Sequence, residues 1–575
     1  MSRNLRPWPR TLLSITWPVW LIAALAIVAA SCSGSDEQAQ LVDPEAAADE
    51  VAEDSTNGID ADDSNPTAPP ATEPDSLAFG DAPQTLRVSV ESLAAVAPSE
   101  LDETNVVQVL VTDLLTDGLT RRNPADGSIE PAIAESWTTS EDGLLWTFQL
   151  GDAAFSNGET IDADDVVSSL TTLAAQGLNS VSALNLWPVL GWAEAGEVAS
   201  SSPLAQIQVA GITAVGDNLV EFSLSEPFAP LDEVLAGVSF GIAPADAPAG
   251  VVSSAVDFTV DEEWTDGVRV VGEQGDGEIS TIEILVDPDF TMFEAGESDL
   301  AIGNVDADRL PEGATQTDVE RAATSYFAMN TAIAPFDDPQ IRQAVVHAVD
   351  SDVLLVGQFE GVVPMRSFIP EQIPGGVVDA CGDACQFDVE RASTLVEASP
   401  SSDTEITIDF FDDGSPGNTD GQVASALAQS LVDVGLSASA VGHTAEEFAA
   451  GIIAGEFGIF RFGSVSTTLS AESLIGLQFH TDGRDNITST SIPRVDELID
   501  EARTTLDADE RAALYASAEQ LLFAEAAVLP LMEFRQPLAF SENLATAGLE
   551  PDGSLNLSQI EFDSDGTQGL IPQGE

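Results

Sequence analysis

The stretch Tyr326-Phe-Ala-Met-Asn330-Thr-Ala-Ile-Ala-Pro335-Phe-Asp-Asp-Pro339-Gln-Ile-Arg-Gln-Ala-Val-Val-His-Ala-Val-Asp350 changes character halfway along. It begins as an extended apolar strand, which gives way at Pro335 and Pro339 because proline removes a backbone donor and fixes φ. Beyond the prolines, Ile341, Ala344, Val345 and Ala348 fall on one helical face, with Arg342 and Gln343 to its side. A similar order recurs upstream. Asp142-Gly143 is a hairpin-type turn signal, and Leu145, Thr147 and Gln149 then alternate with Trp146, Phe148 and Leu150 in the two-residue period of a half-buried strand. Asn157-Gly158 marks another turn, after which Asp162 caps a helix that starts near Ala163 and carries Asp165 at its third position.

Further blocks keep the same order along the chain. They are Gly127-Ser-Ile-Glu-Pro-Ala-Ile-Ala-Glu-Ser-Trp137, Phe155 to Leu170, Met292 to Asp299 and Asp388 to Val396. Near the end, Asp507 and Glu510 form a capping box for a helix whose Ala513, Leu514, Ala518, Leu521 and Leu522 make an apolar stripe. In order and spacing these blocks resemble the peptide/nickel class of extracellular solute-binding proteins, family 5, which serve ABC importers. The resemblance covers most of residues 85–545. It implies an α/β, two-lobed periplasmic-binding-protein-like fold with an extra subdomain, mixed sheets and a ligand cleft between the lobes. Lobe I would comprise 81–320 with 535–575, and lobe II 321–534. Closure of such lobes converts ligand contacts into a change of shape.

Outward from this core, Arg3, Arg6 and Arg10 precede an uncharged apolar run from Leu12 to Ala30, the layout of an export signal. Ala29-Ala30-Ser31 lead directly into Cys32, which resembles the lipobox of bacterial lipoproteins, although an aliphatic residue is usual where Ala29 stands. That resemblance implies a signal peptide over 1–31 and acyl chains on Cys32. Each buried methylene of such a chain contributes about 0.8 kcal/mol to membrane anchoring. Simple secretion and an uncleaved helix are the alternatives. Residues 32–80 are crowded with Asp, Glu, Ala, Ser and Pro and hold few large apolar side chains before Leu77. Such a segment reads as a disordered, self-repelling tether, or else as an acidic interaction tail.

All 18 basic residues are Arg, against 98 acidic ones, for a formal net charge of -80. Nucleic acid is not an expected partner, since binding it requires clustered basic groups. A solvated acidic surface is the simplest reading of the charge, and its field favours neutral or cationic ligands. Cys381 and Cys385, separated by Gly-Asp-Ala, fit a small disulfide loop. A metal site at the same pair would need further ligands, and His347, His443 and His480 are scattered singly. No nucleophile elbow, phosphate loop, His-Glu-x-x-His helix or dinucleotide fingerprint is present. The Asp-rich stretches 409–420 and 563–566 lack the ligand spacing of calcium loops and read as turns. No enzyme activity, cofactor or metal is therefore expected.

In peptide-binding members of the family, a Gly-Trp-x-Ala-Asp-Tyr segment supplies an Asp that pairs with the peptide's amino group. The corresponding stretch is Phe462-Gly-Ser-Val-Ser-Thr-Thr468, with Ser464 in place of Trp and Thr467 in place of Asp. The resemblance thus implies Ser464, Ser466 and Thr467 as cleft residues and a ligand that is neutral or held differently. Thr116 and Asp117, at the position of a family turn, are further candidates. The family's Gly-Thr-Gly-Pro-Tyr element is missing between Val251 and Val286. The expected role is a lipid-anchored, extracytoplasmic binding protein that hands a small, peptide-like solute to ABC permease subunits. A surface receptor or adhesin uncoupled from transport, or an enzyme on a binding-protein scaffold, are the other readings.

Overall fold

The computed structural model describes residues 84–562, apart from 94–100, 102–104, 124–126, 178–179, 181, 200–201, 245–257, 265–266, 273–278, 356–362, 372, 413, 415–418, 467, 547, 550–554 and 558–559. The expectations for Cys32, for the signal and tether segments, for 563–566 and for Thr467 lie outside the described residues.

The apolar run at Tyr326 is the end of a long strand, Thr315–Met329. Tyr326 and Ala328 enter one core with Phe460 and Phe462, whereas Phe327 and Met329 enter another with Ile459 and Leu529. Covering on both faces explains why the run is continuously apolar instead of alternating. Asp338 then caps the helix Pro339–His347 by accepting from the Gln340 amide. Ile341, Ala344, Val345 and Ala348 are buried as the periodicity implies. Arg342 does not lie to the side. It is buried and donates to the carbonyls of Phe336, Glu525 and Ala526, two of them at the end of the helix Ala508–Ala524. Those carbonyls have no partner within their own helix, so a buried guanidinium fits there.

Upstream, Leu145–Leu150 pairs with Ala134–Thr139 and Leu219–Ser223 in a four-stranded antiparallel sheet completed by Ile212–Ala214. Its Trp146, Phe148 and Leu150 face inward as expected. The helix Ala163–Gln176 starts with the reciprocal Asp162–Asp165 capping box. This body, about residues 119–242, has its own core around Phe148, Leu170, Phe222 and Leu231.

The main sheet has eleven strands: β1 (Gln84–Val90), β2 (Phe258–Trp264), β3 (Gly267–Gly272), β4 (Ile279–Val286), β5 (Leu300–Ile302), β6 (Thr315–Met329), β7 (Val363–Pro364), β8 (Glu405–Phe411), β9 (Ser437–His443), β10 (Ile459–Val465) and β11 (Val528–Phe540). Their order is β9-β8-β10-β6-β11-β5-β1-β4-β3-β2, with β7 beside β11. β1 runs parallel to β4 and β5, while β6 is antiparallel to β10 and β11, so the sheet is mixed. β10 reaches β6 only at Ala323–Met329, and β5 reaches β11 only at Leu538–Phe540. Between these points the β6/β11 ribbon alone, with Val363 of β7 opposite Glu533, joins the two halves. The register of the ribbon breaks there, between Glu320 and Thr324. Hydrophobic cores lie on both sides of this neck, one around Leu86, Val88, Ile284 and Phe540 and two around β6 and β10. The architecture is α/β and two-lobed.

The helix Ala508–Ala524 is capped by Asp507, which accepts from the Glu510 amide. Of the expected stripe, Ala518 and Leu522 are buried and Leu514 and Leu521 pack against the same core, while Ala513 is exposed; the buried face is wider than expected and also takes in Arg511, Tyr515, Glu519 and Phe523. Arg511, Tyr515 and Glu519 each find a polar partner, and this outweighs their poor fit to an apolar pattern. Glu519 accepts from the Phe368 and Ile369 amides, yet burial still pushes its carboxyl from 4.5 up to about 7. Between those values the folded chain keeps a proton that the unfolded chain has lost, so stability falls as pH rises through that window. Glu519→Gln should remove this loss. Relative to the parent, its unfolding free energy should gain roughly 2–3 kcal/mol between pH 5 and pH 8. Urea titrations at the two pH values measure it, and a pH-independent difference would refute the assignment.

Candidate functional site

β10 and β6 bring Ser464 opposite Thr324, just beyond the packed aromatic pairs of the second half. Ser464 lies on the same face as Phe460 and Phe462, because side chains alternate along a strand. Its Oγ accepts from Gln478 Nε2 at 2.7 Å, and Gln478 Oε1 accepts from the Tyr326 hydroxyl at 2.9 Å. Two residues on, Ser466 Oγ lies 2.7 Å from Ser473 Oγ, and Ser473 donates to the Ser470 carbonyl at 2.7 Å. Ser473 has one hydroxyl hydrogen and uses it on that carbonyl, so Ser466 is the donor of the pair. The hydroxyls of Thr324 and Thr468 are buried without a partner. The wall is therefore rich in hydroxyl and amide groups and rests on a π-helical turn, Glu472–Gly476.

Beside this wall the 119–242 body meets the second half through charged groups. Ser470 Oγ donates to Glu233 Oε2 at 3.1 Å, and Glu233 also pairs with Arg511. The Ala229 amide donates to the Arg503 carbonyl at 2.7 Å, and the Arg503 guanidinium stands 5.1 Å from the centre of the Trp187 ring. Arg503 in turn pairs with Glu472, Nη2 to Oε1 at 2.7 Å, and Tyr515 donates to Glu472 Oε2 at 2.6 Å. Glu472 is wholly buried. Gly476 leaves room for it, since a Cβ there would collide with its carboxylate oxygens. Burial alone would lower the Arg503 pKa, but the Glu472 charge and hydrogen bonds hold it above its ordinary value. Next to Glu233, burial and then the Glu233 charge push the Asp232 carboxyl up to about 6, against the opposing pull of Arg511 and the Trp137 indole donor.

The structure gathers Ser464 and Ser466 into one wall, while Thr116 and Asp117 sit in another cluster. Thr116 is buried, donates to the Thr112 carbonyl at 2.9 Å and packs against Gly241, while the Asp117 carbonyl accepts from the Ile242 amide. Cys381 and Cys385 are joined in a disulfide, with their Cα atoms 5.6 Å apart. His347 lies 2.7 Å from the Gln386 carbonyl, and His443 and His480 pair with Asp409 and Asp500. Among the described residues no group of three His, Cys, Asp or Glu side chains could hold a metal ion, and no helix is long and apolar enough to cross a membrane. Reading the sequence missed Glu233, Glu472, Gln478, Arg503 and Arg511. The scarce Arg residues carried a usable signal, since a basic residue in so acidic a chain has many suitors. The acidic members carried none.

Replacing Arg503 with Met would leave the Glu472 charge buried without its cation, at a cost of about 3–5 kcal/mol. The double variant Arg503→Met/Glu472→Gln should lose clearly less than the sum of the single losses. Urea unfolding of the four proteins measures this coupling, and strict additivity would contradict it.

The sequence pattern of the bacterial extracellular solute-binding proteins, family 5 (middle), matches residues 128–272 and 280–486. The periplasmic oligopeptide-binding protein OppA of Escherichia coli is 23% identical over 481 residues, spanning 77% of this chain and 85% of the relative. The nickel-binding periplasmic protein of Escherichia coli is 25% identical over 449 residues, spanning 71% and 81%. The solved structure of HbpA2 from Haemophilus parasuis superposes with a TM-score of 0.68 at 18% identity, covering 84% of this chain and all of that one. A shared fold, a sequence pattern matched over more than half the length, and a neck between two lobes agree: the chain belongs to the bacterial extracellular solute-binding proteins of family 5.

Proposed function

We propose that the chain encloses a small solute between its two lobes and delivers it, chemically unchanged, to the permease subunits of an ABC importer. The observation that carries this reading is the neck: a two-stranded ribbon bends far more easily than the sheets at either end of it. Lobe I comprises 81–320 with 535–575, and lobe II 321–534. The pairing of Glu320 with Arg535, next to the break in register, supports that division.

Ser464, Ser466 and Thr467 line the lobe II side of the cleft. Thr116 and Asp117 act from lobe I. The hydroxyl and amide groups around Ser464 suit a solute with peptide-like hydrogen-bonding groups, in keeping with relatives named for oligopeptides. A lipid on Cys32 holds the protein at the outer side of the cytoplasmic membrane, with 32–80 as its tether.

Mass spectrometry of solute released by denaturing the purified chain should find an intact small molecule near one per chain. Conversion of that molecule during incubation would overturn the transport reading in favour of an enzyme. Thr467→Trp should weaken binding of the same solute at least about tenfold, or 1.4 kcal/mol, without moving the unfolding midpoint of the empty protein. Unchanged affinity would remove Thr467 from the cleft. Cys32→Ser should shift the protein from the detergent phase to the aqueous phase of a phase partition, and an unchanged partition would refute the lipid anchor.

A further inference from the structure

Most buried carboxylates of the described residues have a partner. Glu472 faces Arg503 and Tyr515, Glu233 faces Arg511, Asp420 faces Arg461, and Asp409 faces His443. Asp485 is different. Its Oδ1 is shielded from solvent and has no hydrogen-bond partner, although the residue as a whole is only half-buried. It therefore stands at a wall and not in the depth of a core.

The loop that presents it is firmly built. The Asp485 amide donates to the Leu477 carbonyl at 3.0 Å and its carbonyl accepts from the Ile487 amide at 2.8 Å. Asn486 ties the loop together by donating to the carbonyls of His480 and Thr490 and accepting from the Thr490 amide. The carboxylate is close enough to Tyr326 that its charge helps to raise the pKa of that phenol, after burial itself. The Tyr326 hydroxyl is already committed to Gln478, and Gln478 to Ser464, so Asp485 adjoins the wall that carries Ser464. The adjacent Arg484 does not neutralise it. Its guanidinium stands 5.8 Å from the centre of the Trp187 ring on the 119–242 body, which puts this loop at the seam between the halves.

A carboxylate oxygen shielded from water with neither counterion nor donor is costly, and a rigid loop holds this one in place. We propose that Asp485 is a receptor for the protonated amino group of the bound solute, with the unpartnered hydroxyl of Thr324, opposite Ser464 on the same wall, available to its neutral part. This rests on the reading of the chain as a solute-binding protein. Of the two expectations, a neutral ligand or one held differently, it favours the second, because the negative charge missing at Thr467 is supplied from another loop. Burial pushes the Asp485 carboxyl up to about 7, as fits a charge that awaits its partner.

The test uses the full chain, stripped of solute by unfolding and refolding, with n-butylammonium chloride as probe against sodium chloride at equal ionic strength and against neutral butanamide. The parent chain should melt higher in butylammonium than in either control. Asp485→Asn should lose that difference and bind butylammonium at least about tenfold more weakly, while Asp482→Asn, an exposed neighbour, should keep it. Asp485→Asn should also melt above the parent when no probe is present, since a shielded carboxylate oxygen without a donor is gone. An equal butylammonium response in parent and Asp485→Asn, or a lower melting temperature of the empty variant, would overturn the proposal. Solute recovered from the untreated parent separates the two readings. A retained neutral solute contradicts the role of Asp485 and leaves solute binding standing, whereas no retained solute together with a specific butylammonium response counts against the transport reading alone.

Discussion

Two antiparallel strands carry the whole connection between the halves of the main sheet, and the rest of the architecture is arranged around that narrow join. Where β10 flanks β6, or β5 flanks β11, the ribbon is locked into a wider sheet with cores against it. Between those places its backbone pairs almost only with itself, and its register breaks at Glu320–Thr324. Bending a sheet several strands wide would disrupt many ladders and shear packed cores, which are as dense as organic crystals. Bending a two-stranded ribbon disturbs few. Relative motion of the halves is therefore concentrated at the neck, a hinge of the kind that absorbs large backbone changes in a few residues.

The charge balance shapes what happens at the seam. With 98 acidic residues and 18 arginines, cations are scarce. Several of them are spent inside. Arg461 pairs with Asp420 within the second half, Arg342 holds helix-end carbonyls, and Arg503 and Arg511 pair with Glu472 and Glu233 where the halves meet. Arginine suits these places because its guanidinium stays charged and offers several donors in fixed directions. An ionic seam exposes less apolar surface when parted than a greasy interface would. Asp485 stands out against this pattern as a carboxylate beside the seam whose shielded Oδ1 meets neither a cation nor a hydrogen-bond donor.

Much of the local structure was legible in the sequence. The Asp162–Asp165 capping box, the alternation over Leu145–Leu150 and the helix after Pro339 follow from short-range chemistry and appear where the residues imply. On the helix Ala508–Ala524 the apolar stripe is legible apart from Ala513, but its buried polar members are not, because Arg511 and Glu519 look like surface residues until their partners, far away in sequence, are known. The site was legible only in part. Ser464 and Ser466 are candidates through resemblance, and their hydrogen bonds run to Gln478 and Ser473, which nothing in their own spacing distinguishes. Asp485 was hidden for a simpler reason: one aspartate among so many becomes conspicuous only when its surroundings are seen to lack a donor.

The central claim is that two rigid halves move about the β6/β11 neck when solute enters or leaves. Spin labels on the exposed positions Val215 and Ile453, in a chain whose Cys32 is replaced by Ser, report the distance across the neck, and labels on Val432 and Ile453 report a distance within one half. Pulsed electron resonance on the chain as purified, and again after bound solute has been stripped, measures both. The Val215–Ile453 distance should change while the Val432–Ile453 distance does not. An invariant Val215–Ile453 distance, or an equal change within the half, would contradict it.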